Sequence, residues 1–331
     1  MNSTAAWHYP RPFGTRAVAI VIAAFALLWI TGQRVEIGRM IAMTGEAVLA
    51  AVGIIPESEV ADGFGAVAGK LFPLQISTRT EVSRIENFDP ANLPLFARIE
   101  TAETITQALN PDTLEMEPRA ERTTVLVEPV GYLVHVAAKM LETLEIALWG
   151  TVIAILIGFP LALGAARNIT HLPALRGLAG AAISLLRSIP EMISALFLVI
   201  AYGFGPIAGI LALAFYGAGY LGKVYGEDME GLDPRPQEAL AAGGATMLAQ
   251  LRWAVLPQAM PRFIAAALYV LDRNMRMATV IGIVGAGGIG QELKGRYDMY
   301  DYGHVGTILV TIFLVVFLLD RAAAHLRRAA L

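Results

Sequence analysis

The sequence predicts an all-α polytopic membrane protein with six transmembrane helices and a small extracytoplasmic insert between helices 1 and 2. Hydrophobic residues make up 56% of its 331 residues and charged residues 16%, whereas soluble domains average about 45–50% and about 25%. Several apolar runs also approach the roughly 20 residues that a helix needs to cross a bilayer. Both observations indicate an integral membrane protein.

Six apolar runs are each taken as one span. The first run follows Arg11 and Arg16 and lacks a clear small-residue cleavage site, so we expect an uncleaved first helix. The third run is short, but the apolar residues 175–186 before it extend that helix, with a kink expected at Pro190. In chain order the runs are 13–31, 146–166, 189–202, 206–224, 263–289 and 305–319.

The basic residues of the short loops fall on one side of this arrangement, and the positive-inside rule assigns that side to the cytoplasm. On the other side, only Lys294 and Arg296 lie in a short loop. The sequence therefore predicts that both termini are cytoplasmic. The basic residues on the cytoplasmic side are Arg11, Arg16, Arg167, Arg176, Lys223, Arg235, Arg252, Arg262, Arg321, Arg327 and Arg328.

The long segment between the first two spans is rich in acidic residues. Its strand-like pieces at 74–80 and 123–127, with prolines as breakers, favour a compact mixed or β-rich subdomain, and a solvated spacer is the alternative. Three parts follow: residues 1–33 form the cytoplasmic N-terminus and first helix, 34–134 the extracytoplasmic insert, and 135–331 a core of five helices.

The segment 238–261, EALAAGGATMLAQLRWAVLPQAMP, predicts a helix-turn-helix at the cytoplasmic membrane surface. Its small residues let a partner approach closely, and glycine permits the backbone geometry of the turn. Leu256-Pro257 is expected to end this surface segment before the next span. The order resembles the EAA coupling loop of ABC importer permeases, here within 231–261, although Leu240 and Ala254 depart from the usual residues. The resemblance assigns ATPase coupling to Glu238, Ala239, Gly244, Ala245, Leu256 and Pro257.

Two further stretches, RSIPEMISALFLVIAYGFGPIAGILAL (187–213) and DRNMRMATVIGIVGAGGIG (272–290), are similar to phosphonate-type permeases of ABC importers. This branch shares the fold of methionine-importer permeases, and the resemblance extends from Glu142 to the C-terminus. It implies the type I importer permease fold, an inner-membrane homodimer, two cytoplasmic ATPase subunits and an extracytoplasmic substrate-binding protein. It also implies alternating access for phosphonate or a related phosphorus oxyanion, a small anionic substrate, with no cofactor.

Charged residues also occur inside the predicted spans, where each costs at least about 2.5–3.5 kcal/mol at the centre of a lipid-facing helix. We therefore expect them to line a cavity, and we hypothesise that Arg276 and Arg273 complement an anionic substrate, with Glu191 as counter-charge or gate. Asp272 and Arg276 are four residues apart, so the alternative is that they pair with each other. The expected pathway residues are Glu191, Asp272, Arg273, Asn274 and Arg276.

Gly285, Gly287 and Gly290 match G-x-G-x-x-G, but a dinucleotide site requires a βαβ unit, and here an apolar run precedes the glycines. With Gly288 they predict a flexible, close-packed turn at the outer end of the fifth span, serving as an outer gate or only in helix packing. The sequence around Lys70 lacks the first glycine and the Ser or Thr of a P-loop. ATP hydrolysis is therefore expected in another subunit.

Several function classes lack support in the sequence. It contains no cysteine, its five histidines lack metal-ligand spacing, and no nucleophile–base pair or basic patch for nucleic acid is visible. No metal site or catalytic residue is therefore predicted. Two alternatives to an oxyanion permease remain: a permease of the same fold for an amino acid such as methionine, and a membrane-anchored sensor or enzyme that uses the insert.

Overall fold

The computed structural model describes residues 15–56, 58–85, 88–90, 92–94, 96–109 and 116–330. The predicted cytoplasmic segment before residue 15, with Arg11, lies outside these residues. The elements in chain order are α1 (Thr15–Arg34), α2 (Ile37–Ala51), α3 (Glu59–Leu71), β1 (Thr78–Glu81), β2 (Arg98–Leu109), β3 (Met116–Glu128), α4 (Gly131–Ala165), α5 (Pro173–Ser188), α6 (Glu191–Tyr202), α7 (Pro206–Glu230), α8 (Arg235–Ala242), α9 (Met247–Gln250), α10 (Leu256–Gly282), α11 (Gly288–Asp298) and α12 (Tyr302–Ala330).

The chain divides after Lys70 into two compact units, and this division falls inside the predicted insert 34–134. In the first unit, α1 contains most of the first predicted span. It is followed by a second apolar helix, α2, after a bend of 66°. The bend lies at Glu36, whose φ of 54° is left-handed, a conformation that a non-glycine residue adopts rarely.

The second unit contains the remaining predicted spans. Among the described residues, four helical segments are long and apolar enough to cross a membrane, and the number reaches six if each of two bent helix pairs is one span. The predicted number of six is the upper end of this range. Helix α4 is longer than its predicted run 146–166, because it begins at Gly131.

The prediction of one kinked helix around Pro190 was wrong in part: the bend lies at Pro190 as expected, but the chain breaks there into two helices. Helices α5 and α6 are separate and meet at 89°. Ile189 is extended, with φ −96° and ψ 121°, and so is Pro190. Because proline lacks an N–H and its ring disfavours the helical region for the residue before it, the helix stops here. The break places the first residue of α6 in the interior of the bundle.

The predicted end of the surface segment at Leu256-Pro257 was also wrong. A single helical stretch continues from Met247 to Gly282 through a π-helical segment, Leu251–Val255. The wider π turn changes the i→i−4 pattern just where proline has no N–H to donate, so the helix continues past Pro257. The stretch then ends at Gly282 and not at Ile289, because three glycines with positive φ follow.

The strands form an antiparallel sheet in the order β1-β3-β2. Strand β1 pairs with the end of β3 from Thr78 opposite Glu128 to Glu81 opposite Val125. Strand β2, which the sequence patterns did not predict, forms a long hairpin with β3. The backbone N–H of Tyr132 donates to Ile76 O, which joins the start of α4 to the segment before β1.

Small residues allow α4 and α7 to pack closely. A Cβ at Gly217 would lie 2.8 Å from Ala154 Cβ, and one at Gly158 would lie 2.9 Å from Ala218 O. Contacts of this kind are typical of membrane helices, whose association depends on close packing. They fix α7, α4 and the adjoining α10 as the frame that positions the charged side chains.

Candidate functional site

An ion pair joins α10 to the first residue of α6, between Arg273 Nη2 and Glu191 Oε1. Glu191 is buried, with only 6% of its surface exposed. Its carboxylate lies in the first turn of α6, where the helix dipole favours a negative charge. The Arg273 guanidinium also lies 4.0 Å from the centre of the Tyr216 ring on α7. One arginine therefore links three helices beside the break between α5 and α6.

Arg276, almost one turn further along α10, bridges two carboxylates. It lies 3.1 Å from Asp272 Oδ2 and 2.9 Å from Asp320 Oδ1 on α12. The i,i+4 pairing with Asp272 is therefore confirmed. Asp320 is not among the predicted pathway residues, because it lies just beyond the last apolar run, 305–319, and nothing local in the sequence relates it to Arg276. Arg276 and Asp320 are the charged residues of an otherwise mostly apolar groove of about 450 Å³ between α10 and α12.

Asn274 lies apart from these charges. It is fully buried, and its Nδ2 donates to Thr151 Oγ1 on α4 at 2.9 Å. The hydrogen bond ties α10 to α4. Asn274 Oδ1 has no hydrogen-bond partner among the described residues. The geometry thus gives this residue a packing role beside the cluster.

The glycine turn is close-packed, as predicted. Gly285, Gly287 and Gly288 have φ values of 95°, 85° and 70°, which other residues rarely adopt. The N–H of Gly288 donates to Glu142 Oε1 at 3.0 Å, and the N–H of Ile289 donates to Thr143 Oγ1 at 2.7 Å. Side chains of α4 therefore satisfy the first N–H groups of α11.

Close contact extends to the other members of this turn. A Cβ at Gly290 would collide with the carbonyl oxygen of Thr279 and lie 2.9 Å from Gly282 Cα. The N–H of Gly205 donates to Gly285 O at 3.0 Å, which joins the loop before α7 to the turn. Glu142 and Thr143 were missed as partners because nothing local in the sequence relates them to residues 288 and 289.

The predicted helix-turn-helix of the coupling segment is confirmed as α8, a turn and α9. Gly244 has a φ of 78°, and Thr246 caps α9 by accepting a hydrogen bond from the N–H of Ala249. Glu238 and Ala239 are exposed on α8. Trp253 is 68% exposed on the adjoining π segment. The segment thus presents an exposed surface with both polar and apolar groups.

A polar network lies at the opposite end of the bundle. Arg296 donates to Glu292 at 2.9 Å and to Asp301 at 3.2 Å, and His304 Nδ1 lies 2.7 Å from Asp301 Oδ2. Burial raises the pKa of Glu292, but hydrogen bonds from Arg296 and His135 outweigh it and hold the pKa below its ordinary value. Burial also raises the pKa of the Asp301 carboxyl, but His304 and Arg296 outweigh this effect and hold the pKa below its ordinary value.

Comparison with known proteins places the chain in a family. Residues 151–330 match the profile of the binding-protein-dependent transport system inner membrane component. HtxE of Stutzerimonas stutzeri, named as a permease of a phosphite transport system, is 52% identical over 263 residues, which cover 78% of this chain and 98% of HtxE. PtxC of the same organism, a phosphite transport system permease protein, is 41% identical over 189 residues, which cover 57% of this chain and 69% of PtxC.

Solved structures show the same fold. A chain of the MetNI methionine ABC transporter, in an inward-facing conformation, is 25% identical and has a TM-score of 0.52. The alignment covers 59% of this chain and 96% of that chain. The fold is that of a type I ABC importer permease, so the alternative of a membrane-anchored sensor or enzyme is set aside. The chain belongs to the family of binding-protein-dependent transport system inner membrane components and is a permease subunit of an ABC importer, whose ATP hydrolysis is performed by a separate subunit.

Proposed function

We propose that the chain forms the translocation pathway of an importer for phosphite, phosphonate or a related phosphorus oxyanion. The observation that carries this proposal is the 52% identity to HtxE over 98% of that protein. Arg273 and Arg276 add a chemical reason for this substrate, because guanidinium groups bind phosphorus oxyanions through bidentate hydrogen bonds.

The ion pairs suggest how an anion passes. Arg273 and Arg276 each pair with at least one carboxylate of the same chain, so neither guanidinium lies without a counter-charge while the pathway is empty. A phosphorus oxyanion replaces Glu191 beside Arg273, or Asp320 beside Arg276, as the helices rearrange. Release of the oxyanion restores the internal pair, so the substrate is held only transiently.

Membership of the family supports the proposed partners, and the basic residues of the short loops support the proposed orientation. Two permease chains form a homodimer, two ATPase subunits dock on the cytoplasmic side, and an extracytoplasmic receptor delivers the substrate. The exposed α8–α9 turn around Gly244 is the ATPase surface, and both termini are cytoplasmic. The glycine turn 285–290 belongs to the outer gate. The insert 34–134 is extracytoplasmic and contacts the receptor.

ATPase movement reaches the ion pairs through one continuous helical stretch. Residues Met247–Gly282 begin in the coupling segment and include Arg273 and Arg276. A displacement of α9 is therefore transmitted along α10 to both arginines. This connection supports alternating access by coupled movement of rigid elements.

Methionine is the competing substrate, because the MetNI chain has the same fold. The experiment is to reconstitute the permease with its ATPase and receptor and to measure ATPase stimulation by phosphonates, phosphite, phosphate and methionine. Stimulation by a phosphorus oxyanion alone supports the proposal. Stimulation by methionine, or by no ligand, would reject the substrate and leave the permease assignment intact.

A further inference from the structure

A polar cavity, separate from the groove at Arg276, lies between α4, α5 and α7, at the end of the bundle where α8 is found. Its volume is about 690 Å³, within the range of about 300–1,000 Å³ typical of small-molecule sites. At its rim, Arg167 N donates to Glu230 Oε1 at the end of α7, and Gln237 Nε2 of α8 donates to Asn168 O in the loop after α4. Its charged lining residues are Arg167, Arg176, Arg187, Lys223, Glu227 and Glu230.

The charges of this lining are not balanced. Lys223 Nζ lies 2.7 Å from Glu227 Oε1, so these two residues neutralise each other. Glu230 accepts a hydrogen bond from the backbone of Arg167. Among the residues that the structure describes, no carboxylate forms an ion pair with Arg176 or Arg187. Two guanidinium groups are therefore available to an anion in the cavity.

The cavity walls hold one arginine in place and leave room beside the other. A Cβ at Gly219 of α7 would lie 2.7 Å from Arg187 Cγ, so the stem of Arg187 packs directly on the α7 backbone. By contrast, a Cβ at Gly177 or Gly180 of α5 would meet no atom within 4 Å. The α5 wall next to Arg176 is therefore open, and a ligand has access to it.

A polar face of α7 connects this cavity with the ion pair at Arg273. Tyr216, Tyr220 and Lys223 recur at helical spacing and share that face. Tyr216 lies under the Arg273 guanidinium, and the ring of Tyr220 lies 5.5 Å from that of Tyr269. Tyr220 therefore lies on α7 between Tyr216, beside Arg273, and Lys223, which lines the cavity.

We propose that this cavity is a second phosphorus-oxyanion site, held by Arg176 and Arg187 at the cytoplasmic end of the pathway. The placement at the cytoplasmic end rests on the proposed function, whereas the anion chemistry rests on the cavity itself. Two sources supply the same chemistry: a free oxyanion moving toward the cytoplasm, and the phosphodiester group of an anionic phospholipid, which basic pockets between membrane helices also bind.

The test uses the permease–ATPase complex, without receptor, in nanodiscs of phosphatidylcholine. Binding of inorganic phosphate is measured by equilibrium dialysis for the wild type, the R176Q/R187Q variant and R321Q. We expect the double variant to lose at least about tenfold in affinity, because it removes two charge-assisted contacts. R321Q removes a positive charge outside the cavity, where Arg321 lies over Phe317, and should bind as the wild type.

A steric variant separates cavity filling from charge. Gly180→Phe keeps every charge and adds a ring where a Cβ meets no atom within 4 Å. It should lower phosphate affinity while leaving assembly with the ATPase unchanged. Equal phosphate binding by the wild type, the steric variant and the double variant would overturn the proposal.

Nanodiscs containing phosphatidylglycerol identify the source. If phosphate binding is lost in these nanodiscs, and if phosphatidylglycerol stays bound to the wild type but not to R176Q/R187Q, the site binds a lipid headgroup. Phosphate binding that persists there assigns it to the free anion. Absence of both ligands from the wild type contradicts the proposal. Phosphate binding to the cavity does not depend on transport. A failure of this proposal can therefore be distinguished from a failure of the proposed function, which the ATPase measurement with the substrate panel tests.

Discussion

Arg276 on α10 holds Asp320 of α12 and Asp272 of its own helix at the same time, at 2.9 Å and 3.1 Å. The residue is thus both a link between two helices and a cation in a groove that is otherwise mostly apolar. In the proposed function, an anion that binds Arg276 competes with Asp320 and thereby loosens α12 from α10. Substrate binding and helix movement are coupled at this point in the proposed function.

Arg276→Gln should abolish uptake, because the amide keeps a polar side chain but has no positive charge for the anion. Assembly with the ATPase and basal ATP hydrolysis should persist, since the coupling segment is untouched. The measurement is uptake of labelled phosphite into proteoliposomes, with Arg321→Gln as a control of equal charge change. Normal uptake by the Arg276 variant would remove this residue from the pathway.

Glu191→Gln should destabilise the permease, because it leaves Arg273 partly buried without its carboxylate. Breaking a buried ion pair by removing one partner costs about 3–5 kcal/mol, and the remaining exposure of Arg273 reduces this value. The unfolding temperature in detergent should fall. The double variant E191Q/R273Q should recover most of the loss, and equal temperatures for the two variants would argue against a coupled pair.

Two glycines of α11 should respond in opposite directions to alanine. Gly290→Ala drives a Cβ into the carbonyl of Thr279 and should prevent folding of the turn. Gly295→Ala meets no atom within 4 Å and should stabilise the helix by up to about 1 kcal/mol. Thermal unfolding of both purified variants is the measurement. A tolerated Gly290→Ala would show that the turn does not require this close packing.

Acid should weaken the polar network around Arg296. The pKa values of Glu292 and Asp301 are lowered in the folded protein, so their contribution to stability is complete above the unfolded values of about 4. It is lost as the pH falls through the lower folded values. The melting temperature, measured at a series of pH values from neutral to acidic, should therefore fall more steeply with decreasing pH for wild type than for E292Q/D301N. Parallel curves would contradict this contribution.

Coupling to the ATPase should depend on the turn at Gly244. Its φ of 78° is strained for a β-branched residue, so Gly244→Val should distort the turn and reduce receptor-stimulated ATP hydrolysis. Gly243 has an ordinary φ of −77°, and Gly243→Ala should retain stimulation. The two variants are compared after co-purification with the ATPase. Full stimulation of the Gly244 variant would place coupling elsewhere.

Local patterns were sufficient for the class of protein and for several of its elements. Apolar runs predicted the membrane helices, and small residues with glycine predicted the turn between α8 and α9. The same patterns failed at the two prolines. A proline ring ends a helix or is accommodated in it according to its surroundings, and Pro190 and Pro257 have opposite outcomes.

The sequence therefore specified a polytopic protein, the helical character of its spans and the identity of its intramembrane charges, because hydrophobicity and turn preference act over short stretches. It did not specify which charges meet. Arg273 and Glu191 are 82 residues apart, and Arg276 and Asp320 are 44 apart. Their pairing depends on the break after α5 and on the close packing of α4 with α7, and such contacts arise only when the folded chain brings distant segments together.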